Sequence, residues 1–325
     1  MKTYKDRLNE LYKEMFNEKL NIIEKNVINK EELTFLYQIE EEINEFGLVG
    51  NLGIKQIRSL LNQKHNLAIL FECQEQNVAI NEMDFKNNEI HVCININLDT
   101  IDSDKIRNLM CVLGDIYSTK ESVNLSNLKI VGGTANLENL KDASKLSNLI
   151  VIGGRANFYS LENSLGLGNL KIIGSNAHFQ SLRSASGLYN LKIIGGNAQF
   201  GSLKCAAGLD NLKNIGGYAQ FNNLTDAADL NGLESIGNFA DFSNLRSASG
   251  LSSLKIIGGT AFFESLESLN GLNKELVING DAFFGNKINI DDIINYGITI
   301  RGNVYIDDVL VTKEEPKIKT LSKKL

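Results

Sequence analysis

A chain of 325 residues, 43% of them hydrophobic, has room for two domains and enough apolar side chains for real cores, which excludes a disordered polypeptide and a disulfide-held mini-protein. Lys and Arg number 33 against 39 Asp and Glu, and the net charge of −6 argues against nucleic acid or anionic lipid as a partner bound through bulk charge. The first residues alternate charged with apolar side chains, and no apolar run long enough to cross a bilayer occurs, so no signal peptide and no membrane association are expected and the location read from the sequence is cytoplasmic.

Residues 1–123 show mixed periodicity. Leu8, Leu11, Met15, Leu20 and Ile23 recur at helical spacing, as do Leu33, Leu36, Ile39 and Ile43, and then Ile54, Ile57, Leu60 and Leu61, which predicts three amphipathic helices. Strands are predicted over 66–73 and 89–98, with a third over 78–85, and Ser103 caps a predicted helix over 104–117. The segment reads as a small α+β domain that also covers the end of whatever follows. It holds 14 basic and 21 acidic residues, a net charge of −7, with Glu40, Glu41, Glu42 and Glu45 clustered on the second helix. A solvated helix face accounts for that cluster, and a basic partner is the sharper alternative.

At Leu128 the grammar changes to a period of 21 residues. Seven copies follow without insertion, from LKIVGGTANLENLKDASKLSN to LKIIGGTAFFESLESLNGLNK. A degenerate eighth starts at Glu275, and GITIRGNVYI over 297–306 reads as a ninth shifted by one residue. Ala135 begins an Ala column that runs to Ala282, and Leu137 followed by Phe158 to Phe284 fills the column two places on, hence the same face of a strand. Columns of Leu and Ile complete an interior that every copy fills alike. The Gly pair, as at Gly195 and Gly196, is expected to supply φ freedom for a corner, and the Gly before the third Leu, as at Gly187, to make another. The prediction is a β-solenoid of eight or so 21-residue leucine-rich-like coils over 124–288, preceded by the α+β cap and followed over 289–325 by a C-terminal cap and a charged tail.

The pattern LxxIGGxAxFxxLxxAxGLxxL resembles a leucine-rich repeat in the broad sense, and its LKIIGG element resembles the receptor L-domain variety. The resemblance covers 128–288 and implies a stacked solenoid. It departs from LxxLxLxxN in two ways: a Gly-Gly lengthens the bend, and Leu161, Leu182 or Leu203 stands where an Asn ladder is expected, so handedness and curvature do not follow from it.

No phosphate-binding loop, HExxH, GxSxG or zinc-ligand spacing is present. The chain has three His (His65, His91 and His178), and His91 shares a strand face with Cys93 but with no third ligand or base. No catalytic residue, metal site or cofactor is therefore assigned. Cys73, Cys93, Cys111 and Cys205 show no CxxC spacing and are expected to be buried free thiols. Abundant Asn, Lys and Ile with a single Pro and no Trp suit a low-GC bacterium or its phage.

Copies within one chain separate scaffold from payload. The interior columns are nearly fixed, whereas three outward columns of the second strand, starting at Thr134, Asn136 and Glu138, give a different combination in every copy and are rich in amides and aromatics rather than the carboxylates a polysaccharide hydrolase needs. A column of Lys129, Lys171, Lys192, Lys213 and Lys255, interrupted by Ile150 and Glu234, marks the first strand and suits a solvated, aggregation-resistant surface. Arg155, Tyr159, His178, Tyr218, Phe239, Phe262 and Phe283 are the residue types that anchor protein interfaces, so they are the expected partner-binding residues of a non-enzymatic recognition protein, an adaptor or inhibitor. A second copy of the chain would cover the same aromatics. The alternatives from other classes are a carbohydrate-binding solenoid and an enzyme residing in residues 1–123.

Overall fold

A computed structural model describes residues 63–85 and 89–311. They wind into a β-solenoid in which successive coils contribute short strands to two twelve-stranded sheets, parallel throughout except for the last strand of the second. Ile172 pairs with Ile193 and Ile173 with Ile194 in the first sheet, and Ala177 with Ala198 and His178 with Gln199 in the second. The sequence period is thus the register itself: each residue lies on its counterpart 21 places away. The core is a set of columns. Within one coil Ile173, Ala177, Phe179, Leu182, Ala185, Leu188 and Leu191 are all fully buried. Phe158 to Phe284 stack ring on ring through the interior, with centroids 5.3 Å apart at Phe200 and Phe221 and 5.9 Å apart at Phe263 and Phe284. Offset stacking of this kind adds to the area buried by each ring.

The solenoid begins earlier than its 21-residue period. Val92–Cys93 and Cys111–Val112 belong to the first sheet, and Ile96–Asn97 and Ile116–Tyr117 to the second. Cys111 pairs with Ile130, only 19 positions on, and the shorter coil is why no repeat is visible there. The helix expected over 104–117 is instead a single 3₁₀ turn, Ser103–Ile106, capped by Asp102 rather than Ser103 and followed by two strands. Ile106, Leu109, Val112 and Ile116 do recur at helical spacing, but they are the inward positions of a coil. The strand expected over 66–73 is a helix, α1 (Gln63–Leu70), and the one over 89–98 is two strands separated by a corner. Over 78–85 a strand, Val78–Ala79, gives way to a 3₁₀ turn. Lys64 Nζ donates to Asp84 Oδ1 at 2.5 Å and holds α1 against that turn. Partial burial pushes the Asp84 carboxyl up, but Lys64 and the amides of Ile80 and Asn81 outweigh it and leave the group below the ordinary carboxylate range. The three helices predicted within 1–62 lie outside the described residues, as does the charged tail beyond 311.

At the other end GITIRGNVYI does form a further coil: Thr299–Ile300 pairs with Val277–Ile278 and Val304–Ile306 with Ala282–Phe284. Its return is a helix, α2 (Ile290–Tyr296), closed by an Asn289/Asp292 capping box and by Gly297 at φ 98°, and this element absorbs the one-residue shift. Val309–Val311 then turns back antiparallel onto Val304–Ile306 through Asp307 and Asp308, both at positive φ, and ends the second sheet.

The glycine pairs serve a different purpose from the one predicted. None of them has a positive φ. A Cβ on Gly195 would lie 2.3 Å from the Gly174 carbonyl oxygen, so the column is glycine because the coil below passes where a side chain would start. Left-handed backbone occurs instead in the return, at Gly166 (φ +99°) and Gly208 (φ +95°), although Gly187 at the equivalent place does not share it. An Asn ladder is present, at the end of the return rather than in the Leu161, Leu182 and Leu203 column. Asn148, Asn169, Asn190 and Asn211 each donate to a carbonyl of the preceding coil at 2.6 to 2.7 Å. Of the four thiols, Cys93 and Cys111 are buried as expected, but Cys73 is half-buried and Cys205 exposed, because Cys205 takes an outward place in the return where other coils carry Ser, Asp or Asn. No helix among the described residues is long and apolar enough to cross a membrane.

Candidate recognition face on the second sheet

Each second strand alternates one buried residue with one that faces out, as in Ala177 and His178 or Ala198 and Gln199. Stacking these strands in register lines up the outward residues into a flat surface whose chemistry changes from coil to coil. All seven residues predicted to bind a partner lie on this surface or its margin. Tyr159 is 54% exposed and Arg155 is also exposed, whereas His178, Tyr218, Phe239, Phe262 and Phe283 are half-buried.

The structure sorts these residues into two groups. Phe262 and Phe283 stack at 5.0 Å, and Phe283 stacks in turn on Tyr305 at 4.5 Å with the rings 4° from parallel. Tyr218 stacks on Phe239 at 4.7 Å, one column over and on the coils just before. These five rings form one aromatic region toward the C-terminal end. Tyr305 is not legible from the 21-residue period because it lies in the shifted ninth coil, 22 places beyond Phe283. Tyr117, 37% exposed, extends the same column at the other end and was hidden by the 19-residue coil. Arg155 and Tyr159 are not brought to the aromatic region; three coils, about 14 Å at strand spacing, separate Arg155 from Tyr218.

Most of the amides on this face are engaged. In the column that starts at Thr134, Asn176 Oδ1 accepts from the Asn197 amide at 2.9 Å, Asn197 Oδ1 from the Tyr218 amide at 3.0 Å, and Asp281 Oδ1 from the Asn303 amide at 2.7 Å. Asp115 does the same for Thr134 at 2.7 Å. Those side chains bridge one coil to the next and are scaffold. In the neighbouring column Asn157 donates to Asn136 at 2.8 Å, and His178 Nδ1, Gln199 and the Tyr218 hydroxyl form a hydrogen-bonded chain. Because Gln199 accepts through Oε1, His178 Nδ1 is the donor, which leaves His178 Nε2 buried with no partner.

Among the described residues no group of three or more His, Cys, Asp or Glu is placed to hold a metal ion. Asp229 has its carboxyl raised by burial and then by the neighbouring carboxylates of Asp210 and Asp226, but that trio sits in the returns, off the second sheet. Burial pushes the Cys93 thiol up, and burial followed by the proximity of Cys93 does the same to Cys111, so both thiols keep their protons at neutral pH. No protein-family model matches the chain, and no curated protein matches it either.

Proposed function

We propose that this chain is a non-enzymatic recognition protein that binds a protein partner through the outer face of the second sheet. The observation that carries the proposal is the aromatic region of Tyr218, Phe239, Phe262, Phe283 and Tyr305, five half-buried rings held side by side on a rigid surface. Rings of this kind, already ordered before binding, lose little conformational freedom on association and are frequent interface anchors. Arg155 and Tyr159 supply a second, more polar contact on the same face.

Carbohydrate binding fits less well. Stacking along the solenoid axis covers both faces of Phe283 and leaves ring edges outward, whereas a sugar would pack on a ring face. The amides that would read hydroxyls are in large part spent on neighbouring coils. Kinship with leucine-rich repeats belongs to the proposal too. The Leu columns and tight returns favour it, while two strands per coil depart from a repeat built of one strand and one helical turn. A cytoplasmic adaptor or inhibitor from a low-GC bacterium or phage completes the reading.

The test is affinity capture with the intact chain beside a Tyr218→Asp, Phe239→Asp, Phe262→Asp variant of matched thermal stability. Stoichiometric capture of one protein by the wild type alone is the expected result. Equal capture by both, or saturable binding of glycans in place of protein, would refute the assignment.

A further inference from the structure

The two ends of the second sheet differ. Its first strand, Ile96–Asn97, has no strand before it, yet Ile96 is only 5% exposed. At the last strand the core is left open. The interior column of rings, 1% exposed at Phe284, passes in register to Ile306 and then to Val309, which is 65% exposed. Leu310, 48% exposed, lies on the outer face beside Tyr305. Val309–Val311 carries this sheet one strand beyond the coil in which the first sheet ends, at Thr299–Ile300, and so forms the rim of the solenoid there. The rim has a free backbone edge. The Ala282 amide donates to the Asn303 carbonyl and the Asp307 amide to the Phe284 carbonyl, so the odd-numbered residues around Val304–Ile306 bond toward the solenoid while Val304 and Ile306 bond to Val311 and Val309. The N–H and C=O of Leu310 therefore point away from the sheet, and no strand among the described residues meets them.

We propose that a second copy of this chain occupies that edge, its own Val309–Val311 pairing antiparallel about a two-fold axis through Leu310. The strand is complementary to itself. An antiparallel pair centred on Leu310 lets the two copies exchange both Leu310 hydrogen bonds, and it sets Val309 of one copy opposite Val311 of the other on the inward face. Each open end of the core is then covered by its counterpart, and the new ladder continues the one that already joins all twelve strands. The usual guards of an exposed edge are Lys, Pro and bulges, and Val-Leu-Val has none of them. Residues 312–325 are a poor rival for the place, since they hold five Lys, two Glu and the chain's only Pro against an uncharged aliphatic edge. On the outer face the column of Phe262, Phe283, Tyr305 and Leu310 runs on into the same column of the second copy. The inference needs only the free edge and the open core, and stands independently of the protein-binding reading.

The test is sedimentation equilibrium of the full-length chain, joined to oxidation of a Leu310→Cys, Cys205→Ser variant in which the exposed native thiol is removed. The wild type is expected to dimerise. Leu310→Lys, a change at an exposed side chain, should raise the dissociation constant about a hundredfold, because two leucines lose their burial and two ammonium groups meet at the axis. Tyr159→Lys, on the same face but far from the rim, should leave it unchanged. In the dimer the two 310 positions lie about 5.5 Å apart, within reach of a disulfide, so the cysteine variant should give a 310-to-310 link between chains by peptide mapping. A chain that stays monomeric at every concentration, as it would if residues 312–325 took the edge, would overturn the proposal. So would a dimer indifferent to Leu310→Lys, or one without the 310 link.

Discussion

Phe283 and Phe284 are neighbours on one strand with opposite roles, and comparing their removal tests whether the outer aromatics are free to bind. Phe284 is 1% exposed and stacks on Phe263 inside the solenoid, so Phe284→Ala should cost about 3–5 kcal/mol, the usual penalty for emptying a buried phenyl site. Phe283 loses two cross-strand contacts, with Phe262 and Tyr305, but sits on a surface water already reaches. At roughly 0.2–1 kcal/mol for each pair, Phe283→Ala should cost about 1 kcal/mol. The gap of about 3 kcal/mol is measurable as a shift in urea midpoint at constant m-value. It can also be read within the same coil from exchange of the Ala282 amide, which donates to the Asn303 carbonyl. A cost at Phe283 equal to that at Phe284 would mean that the outer rings are structural, and the case for an anchoring surface would fall with it.

Other positions give distinct expectations. Gly195→Ala should destabilise by about 1–3 kcal/mol in urea unfolding, because the new methyl group meets the Gly174 carbonyl at 2.3 Å; a stabilised variant would show that the coils separate freely there. Asn190→Ala removes the donor to the Gly168 carbonyl and should cost about 1 kcal/mol, whereas an unchanged midpoint would make the Asn ladder ornamental. In thiol labelling at pH 8 the exposed Cys205 should react promptly, while Cys93 and Cys111 stay silent until urea exposes them. The same two buried thiols hold their protons in the folded chain after they would ionise in the unfolded one. Their contribution is therefore complete below about pH 8.5 and is lost as pH rises, so the urea midpoint should be lower at pH 10 than at pH 8. A midpoint that rises over that interval would contradict the burial.

The solenoid was legible because its interior repeats: columns such as Phe158 to Phe284 fix both the period and the strand register. Legibility stopped where coil length changed. A coil of 19 residues hid the strands at Val92–Cys93 and Cys111–Val112, and the spacing of Ile106, Leu109, Val112 and Ile116 imitated a helix. The purpose of Gly195 was not legible either. Loop glycines are ordinarily read through φ, and the constraint here comes from a backbone 21 residues away in sequence. On the outer face of the second sheet the residue types were readable and their engagement was not, since nothing in one strand reveals that Asn176 is spent on the amide of Asn197.

That division of labour bears on how such a face can vary. An outward residue in this scaffold touches mainly its counterparts one coil above and one coil below, so its substitution is a nearest-neighbour change in an otherwise unaltered stack. Where side chains bridge one coil to the backbone of the next, as at Asn176 and Asn197, the change disturbs a hydrogen bond to backbone and is penalised even at the surface. Where neighbours are rings, as at Phe262, Phe283 and Tyr305, any flat side chain preserves the stack. Aromatic identity at those positions is thus less constrained by folding than the amide column beside it. The same rings are the group on this face with most left to offer a partner.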